Sequence, residues 1–408
     1  MDERNDAWSE TAAVPASQHG HGTRDLWVLV VVTFLAFVNY AALLAVVPLW
    51  ASEIGGDGGR HGGAGSVAIG ATTGAMMAAT VLTQLSMPRL FRILPLRAMI
   101  MLGAAMLGLP APLYLVTDAI APILVITVVR GIGFALVVVA GSTLLADVAG
   151  AGRLASAASY YGAAAALPNL AALAGGVWVA RTWSFDAVFV TAGAAGMLAA
   201  IVAAPLPKRV RGTFHLASTA RLRSIARPVG LFLLTAGAFG AVTTFLPVAG
   251  PSAGTTAVAL FGASAALIAA RLWVGAIGDR RGTGRVLAPA AGLVALGAVA
   301  LAAALALESP LGSMLLVLGA TLLGGGFGAA QNDSFVSTVQ RLGTGRGGTG
   351  ATVWNIAYDG GLGLGAMSVG LLVGQLGYAK AFLAVGVVIA LCTLLALVSR
   401  PRGVLTPG

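Results

Sequence analysis

Residues 26–50 read LWVLVVVTFLAFVNYAALLAVVPLW, 25 positions without a charged side chain. As a helix, a run of this length crosses a hydrocarbon layer about 30 Å thick, and it exceeds the roughly 7–15 apolar residues of a signal-peptide core. The segment ahead of it, 1–25, is polar, with Gly, Ser and His-Gly-His-Gly at 19–22, and reads as a disordered cytoplasmic tail.

Eleven further apolar runs follow, at 66–87, 96–116, 121–147, 154–179, 185–205, 228–249, 253–277, 285–307, 311–336, 350–373 and 378–398. The expectation is an all-α polytopic membrane protein with twelve transmembrane helices. Composition agrees. Apolar residues make up 58% of the chain and charged residues 9%, with a mean hydropathy of +0.92, whereas a soluble domain carries about a quarter charged residues. So few charges cannot cover a water-facing surface of this size, and a soluble enzyme is excluded. The net charge of +10 does not point to nucleic acid, because the basic residues lie in short gaps between apolar runs and not beside aromatics on one face.

Those gaps set the orientation, since short cytoplasmic connectors are enriched in Lys and Arg. With the N-terminus inside, the inner connectors and tails hold 19 basic residues and the outer ones three, Arg60, Arg181 and Lys380. A multi-pass protein of the cell membrane, with both termini cytoplasmic, follows. The longest inner connector, 207–227, is basic and central. It separates an N-terminal six-helix bundle, 26–206, from a C-terminal one, 228–399, and residues 400–408 form a second cytoplasmic tail.

The two halves repeat. An offset of 193 carries Gly131, Gly133 and Phe134 onto Gly324, Gly326 and Phe327, carries 150–153 onto 343–346, and carries Phe185 and Phe189 onto Tyr378 and Phe382. Six plus six helices in one orientation is the parallel repeat of many carriers.

Several segments then resemble one family. Gly275-Ala-Ile-Gly-Asp279-Arg280-Arg281-Gly282-Thr-Gly-Arg285 is similar to the G-x-x-x-D-R-x-G-x-x-R loop signature of the major facilitator superfamily, and sits in the eighth-to-ninth helix connector where that family carries it. Arg130-Gly-Ile-Gly-Phe134 resembles its fourth-helix motif. Gly326-Phe-Gly-Ala-Ala-Gln331-Asn332 and Asn355-Ile-Ala-Tyr-Asp359-Gly-Gly361 look like segments of its bacterial sugar and drug efflux permeases. The first-half loop departs from the pattern: Gln84-Leu-Ser-Met-Pro88-Arg89-Leu-Phe-Arg92 lacks the Asp-Arg pair. So does the fifth helix, where the antiporter motif G-P-x-x-G-G survives only as Gly175-Gly176, with Pro168 displaced. The resemblance spans 26–398. It implies two pseudo-symmetric bundles around a central cavity lined by the first, fourth, seventh and tenth helices, and alternating-access transport of a small molecule.

An ionisable group at mid-bilayer costs about 2.5–3.5 kcal/mol on insertion scales and usually has a function. Asp359 lies near the middle of the eleventh run and shares a helix face with Asn355, Thr352 and Thr349 at steps of four, three and three. A carboxyl there suits reversible protonation; the structural alternative is an interhelix hydrogen bond. Arg130 lies about a third of the way into the fourth run, and either tunes proton release, pairs with an anionic cargo group, or is held by backbone carbonyls. These two are the candidate proton-coupling residues. The resemblance places Asn39, Tyr40, Phe134, Thr235, Phe239, Thr243, Gln331, Asn332 and Asn355 at the substrate cavity. It makes Gly275, Asp279, Arg280, Gly282 and Arg285, with Asp147 beside the fourth-to-fifth connector, an intracellular gating clamp.

Other chemistries lack their residues. His19, His21, His61 and His215 fall in polar segments without partners at ligand spacing, so no metal is expected. The glycine-rich 343–350 lacks the Gly-Lys-Ser/Thr of a phosphate loop, and no cofactor is expected. Cys392 is the one cysteine, so no intrachain disulfide forms. The expected partners are the bilayer, a small-molecule substrate and protons, with the chain acting as a monomer. The expected function is proton-coupled efflux of a small apolar or weakly polar molecule; the alternatives are proton-coupled uptake of a polar solute, or a transporter-like sensor without flux.

Overall fold

The computed structural model describes residues 16–54, 64–117, 119–149, 154–208, 210, 219–281, 285–307, 309–342 and 347–398. The described residues fold into α1 (Ala16–Ile54), α2 (Ala64–Ile93), α3 (Leu96–Gly108) with a 3-10 extension (Ala111–Val116), α4 (Ile120–Val148), α5 (Leu154–Thr182), α6 (Phe185–Val202), α7 (Thr219–Ala249), α8 (Ala253–Arg281), α9 (Leu287–Ala306), α10 (Pro310–Leu342) and α11 (Gly347–Val398). Eleven of these segments are long and apolar enough to cross a membrane, the 3-10 extension counted with α3.

The twelfth crossing is inside α11. Its 52 residues would span about 78 Å at a rise of ~1.5 Å each, more than twice the hydrocarbon thickness. At Gly377 φ is +77° and ψ 169°, a conformation open to glycine and closed to side chains with a Cβ. Val369 and Val385, equidistant from Gly377 in sequence, line one cavity with Leu233 and Gly237 of α7. The arm 378–398 therefore runs back beside the arm 347–376.

Three edges differ from the sequence reading. α1 starts at Ala16, so 16–25 is helical and not a disordered tail. α7 starts at Thr219, so 219–227 belongs to a helix and only the part ahead of it to the linker. α8 runs through Gly275 to Arg281, so most of the expected loop signature is helical. Pro110 and Pro112 lie where α3 gives way to the 3-10 turn, as residues without an N–H donor dictate.

Within each half the helices approach as closely as glycine allows. A Cβ on Gly131 would strike the Met76 carbonyl of α2, and one on its repeat mate Gly324 would strike the Ala263 carbonyl of α8. Gly133 faces Gly103 of α3, and Gly326 faces Ala290 and Val294 of α9. Phe189 and Phe382 are both fully buried. The offset of 193 is thus an equivalence of packing. Small residues at the interfaces are what helix association in lipid requires, because the tails are as apolar as leucine and close van der Waals fit is the driving term. On the outside, Leu82, Leu109, Val125, Ile201, Leu272, Met314 and Leu395 are all exposed, an apolar coat that hydrocarbon tolerates and water does not.

Candidate functional site at the seam between the halves

α2 of the first half and α11 of the second run antiparallel along the seam. Ser66 Oγ donates to the Gly370 carbonyl at 2.9 Å, Gly70 abuts Ala366, Gly74 abuts Met367, and Gly363 abuts Met77. Thr73 and Thr244 of α7 share a hydroxyl contact of 2.8 Å, and Arg181 of α5 reaches the Gly250 carbonyl at 3.3 Å. These contacts close the end of the bundle where α2 begins and α7 ends.

Deeper along the same seam, Gln84 Nε2 donates to Asp359 Oδ2 at 2.6 Å. Asp359 is 2% exposed and Gln84 1%. The other oxygen of the amide, Gln84 Oε1, is buried without a hydrogen-bond partner. Gln84 is the one amide or ionisable residue between Ala64 and Met87 of α2, a signal in the sequence that marks it once a carboxylate is found opposite. Tyr40 of α1 lies within electrostatic range of Asp359, Tyr358 and Arg130. Its hydroxyl is buried and unpartnered.

Arg130 is fully buried. Its Nη2 donates to Asn39 Oδ1 at 3.1 Å, its Nη1 to the Tyr114 hydroxyl at 3.4 Å, and its Nε has no partner. Asn39 in turn donates to the carbonyls of Leu107 at 3.1 Å and Ala192 at 2.7 Å. A buried guanidinium held by neutral acceptors carries a large desolvation cost. Tyr114 is reached from the other side by Thr127 at 2.8 Å; this tyrosine was not legible as a site residue because it lies in the 3-10 turn beyond α3.

Aromatic rings surround the polar groups. Tyr40 stacks on Phe134 at 4.0 Å and 9°, with Phe37 edge-on to both. In the second half Phe239 stacks on Phe327 at 4.7 Å and Phe232 on Trp354 at 4.9 Å, while Tyr358 faces Phe327 and Trp354. Trp354 Nε1 donates to Ser334 Oγ at 3.0 Å.

The remaining expected cavity residues divide. Thr235 donates to Phe232 O and Thr243 to Phe239 O and Gly240 O, so both hydroxyl protons are committed to their own helix. Asn355 is half-buried on the Asp359 helix. Gln331 accepts from Arg271 Nη1 at 3.3 Å and Asn332 donates to the Arg271 carbonyl at 3.2 Å, joining α10 to α8; Gly275 sits against Asn332. In the expected clamp, Arg285 and Asp147 are exposed. Gly282 and the side chains of Asp279 and Arg280 lie outside the described residues. Asp333 of α10 caps α9: its Oδ2 accepts from Leu287 N at 2.9 Å. Among the described residues no group of His, Cys, Asp and Glu could hold a metal ion.

The profile of the Major Facilitator Superfamily matches residues 29–366. The chain belongs to the major facilitator superfamily. Comparison with solved structures agrees on this facilitator fold. A crystal structure of a D-xylose-proton symporter superposes with a TM-score of 0.73 at 12% identity, covering 92% of this chain and 97% of that one. The nucleoside transporter NupG gives 0.69 at 13%, covering 92% and 98%. The peptide transporter POT in complex with sulfate gives 0.72 at 14%, covering 93% and 94%. At these identities the likeness concerns the fold. A sequence comparison with curated proteins finds no match. The chain is a membrane-embedded transporter of the facilitator type.

Proposed function

We propose that this facilitator is a proton-coupled secondary carrier that moves a small apolar or weakly polar molecule by alternating access, with export from the cytoplasm as its direction. The observation that carries the reading is the placement of Asp359: a buried carboxyl on the seam, bonded to the opposite half through Gln84 and bordered by aromatic rings. A proton added to or removed from such a group acts on the contact between the halves, which is what coupling to alternation requires. Few charged side chains and many rings suit cargo that stacks and sheds water readily. The basic inner connectors support an orientation with the closed end of this structure toward the outside.

Uptake of a polar solute by symport is the second reading, favoured by Arg130, whose Nε is free to meet an acceptor on cargo. The test is a thermal-stability screen of small molecules on the purified protein, followed by flux of each hit in proteoliposomes under an imposed pH gradient. Export predicts that proton entry drives the hit outward; proton-driven accumulation in the direction of the protons supports symport and rejects export.

A further inference from the structure

We infer that Gln84 is the positioning residue that makes the junction of the two halves respond to the protonation of Asp359. The inference rests on Asp359 being the proton site, and adds to it the means by which the proton is felt.

The argument starts from the valences of the two groups. An ionised carboxylate only accepts hydrogen bonds, while a primary amide carries one acceptor oxygen and two donor protons on adjacent atoms. With Asp359 ionised, one bond forms, Gln84 Nε2–H to Oδ2, as observed at 2.6 Å. Gln84 Oε1 is then left buried and unpaired, next to a group that has nothing to donate. A buried acceptor without a donor costs free energy that a new bond recovers. When Asp359 takes up a proton on Oδ1, the acid gains a donor, and a coplanar acid and amide form a closed pair: Nε2–H to Oδ2 and Oδ1–H to Oε1. One bond across the seam becomes two, and the orphan acceptor is satisfied. Protonation therefore favours the conformer seen here, closed along α2 and α11, and loss of the proton weakens it.

No other group on the packed elements supplies the same link. Between Ser66 and Met87, α2 has no titratable residue, and neither do α7 from Pro228 to Ala249 nor α9. Tyr40 of α1 and Tyr358 of α11 are within electrostatic range of Asp359; Arg130 of α4 is within that range of Tyr40, and Arg271 of α8 of Tyr358. The two tyrosines are phenols, far weaker acids than a carboxyl, so the pH-dependent partner change falls on Gln84.

The test needs no cargo. Cysteines replace the exposed Ser142 of α4 and Gln340 of α10 in a Cys392→Ser background, spin labels are attached, and the distance distribution is recorded in nanodiscs under mildly acidic and mildly alkaline conditions. The wild type is expected to shift between two populations, with the ratio changing about tenfold, the factor that ~1.4 kcal/mol produces. Asp359→Asn presents an amide to an amide, completes both bonds without a proton, and is expected to hold the acidic distribution at every pH. Gln84→Leu removes both bonds and is expected to flatten the response while the protein stays folded; Gln84→Met, closer in shape, replaces it if the leucine variant does not fold. A response retained in the Gln84 variants overturns the role of Gln84 and leaves Asp359 as the proton site. A response retained in Asp359→Asn, or absent from the wild type, overturns the Asp359 reading as well.

Discussion

Arg130 donates to Asn39 at 3.1 Å, and Asn39 passes its own protons to the carbonyls of Leu107 and Ala192. One asparagine thereby ties α4 to α1, α3 and α6, and holds a buried cation in the middle of the first half.

This arrangement predicts that Asn39→Ala is far more harmful than its size suggests. It removes three hydrogen bonds from a fully buried site and leaves one guanidinium arm unpaired, a loss of about 2–4 kcal/mol. The midpoint of thermal unfolding in detergent, followed by tryptophan fluorescence, should fall clearly, and Arg130→Lys should fall with it because the lysine cannot reproduce the fork. An unchanged midpoint for Asn39→Ala would show that the network contributes nothing.

Helix approach gives a paired prediction. A Cβ on Gly365 would collide with the Gly237 backbone, whereas one on Gly292 meets nothing within 4 Å. Gly365→Ala should cost about 1–3 kcal/mol through forced separation of α7 and α11. Gly292→Ala should be neutral or stabilise by up to ~1 kcal/mol, because glycine is the weaker helix former. Equal effects from the two would contradict the packing described here.

Asp333 caps α9 from a neighbouring helix. Asp333→Ala should lower stability by about 1 kcal/mol, with the increase in amide exchange concentrated at the first turn of α9, and Asp333→Asn should retain part of the cap. Exchange that rises uniformly along the chain would argue against a local capping role.

Topology is checked from the two faces. In a Cys392→Ser background, a cysteine at the exposed Lys208 should react with an impermeant maleimide only from the cytoplasm, and one at the exposed Ser252 only from outside. Labelling of both from the same side would reject the crossing number or the orientation.

The fold was legible in the sequence because its two signals are long-ranged and redundant: apolar runs of membrane length and an offset of 193 whose residues occupy equivalent contacts. The last turn-back was legible as two runs, although the backbone stays helical on both sides of Gly377. The site was legible only in part. Asp359, Arg130 and Asn39 stand out because ionisable and amide residues are costly in lipid, and the structure buries all three. Their partners were hidden: Gln84 was read as the start of a connector motif, Tyr114 lay in an irregular turn, and the cap supplied by Asp333 depends on a helix crossing that no spacing encodes. Thr235 and Thr243, placed at the cavity by the resemblance, have their hydroxyl protons bound to α7 itself.

The central claim is that Asp359 couples protons to transport. Its most direct test is gradient-driven flux of a cargo found by the stability screen, in proteoliposomes carrying wild-type protein or Asp359→Asn. The account predicts that the variant folds and binds the cargo, that its binding no longer varies with pH, and that a pH gradient no longer drives net movement. Gradient-driven flux at the wild-type level in folded Asp359→Asn would contradict it.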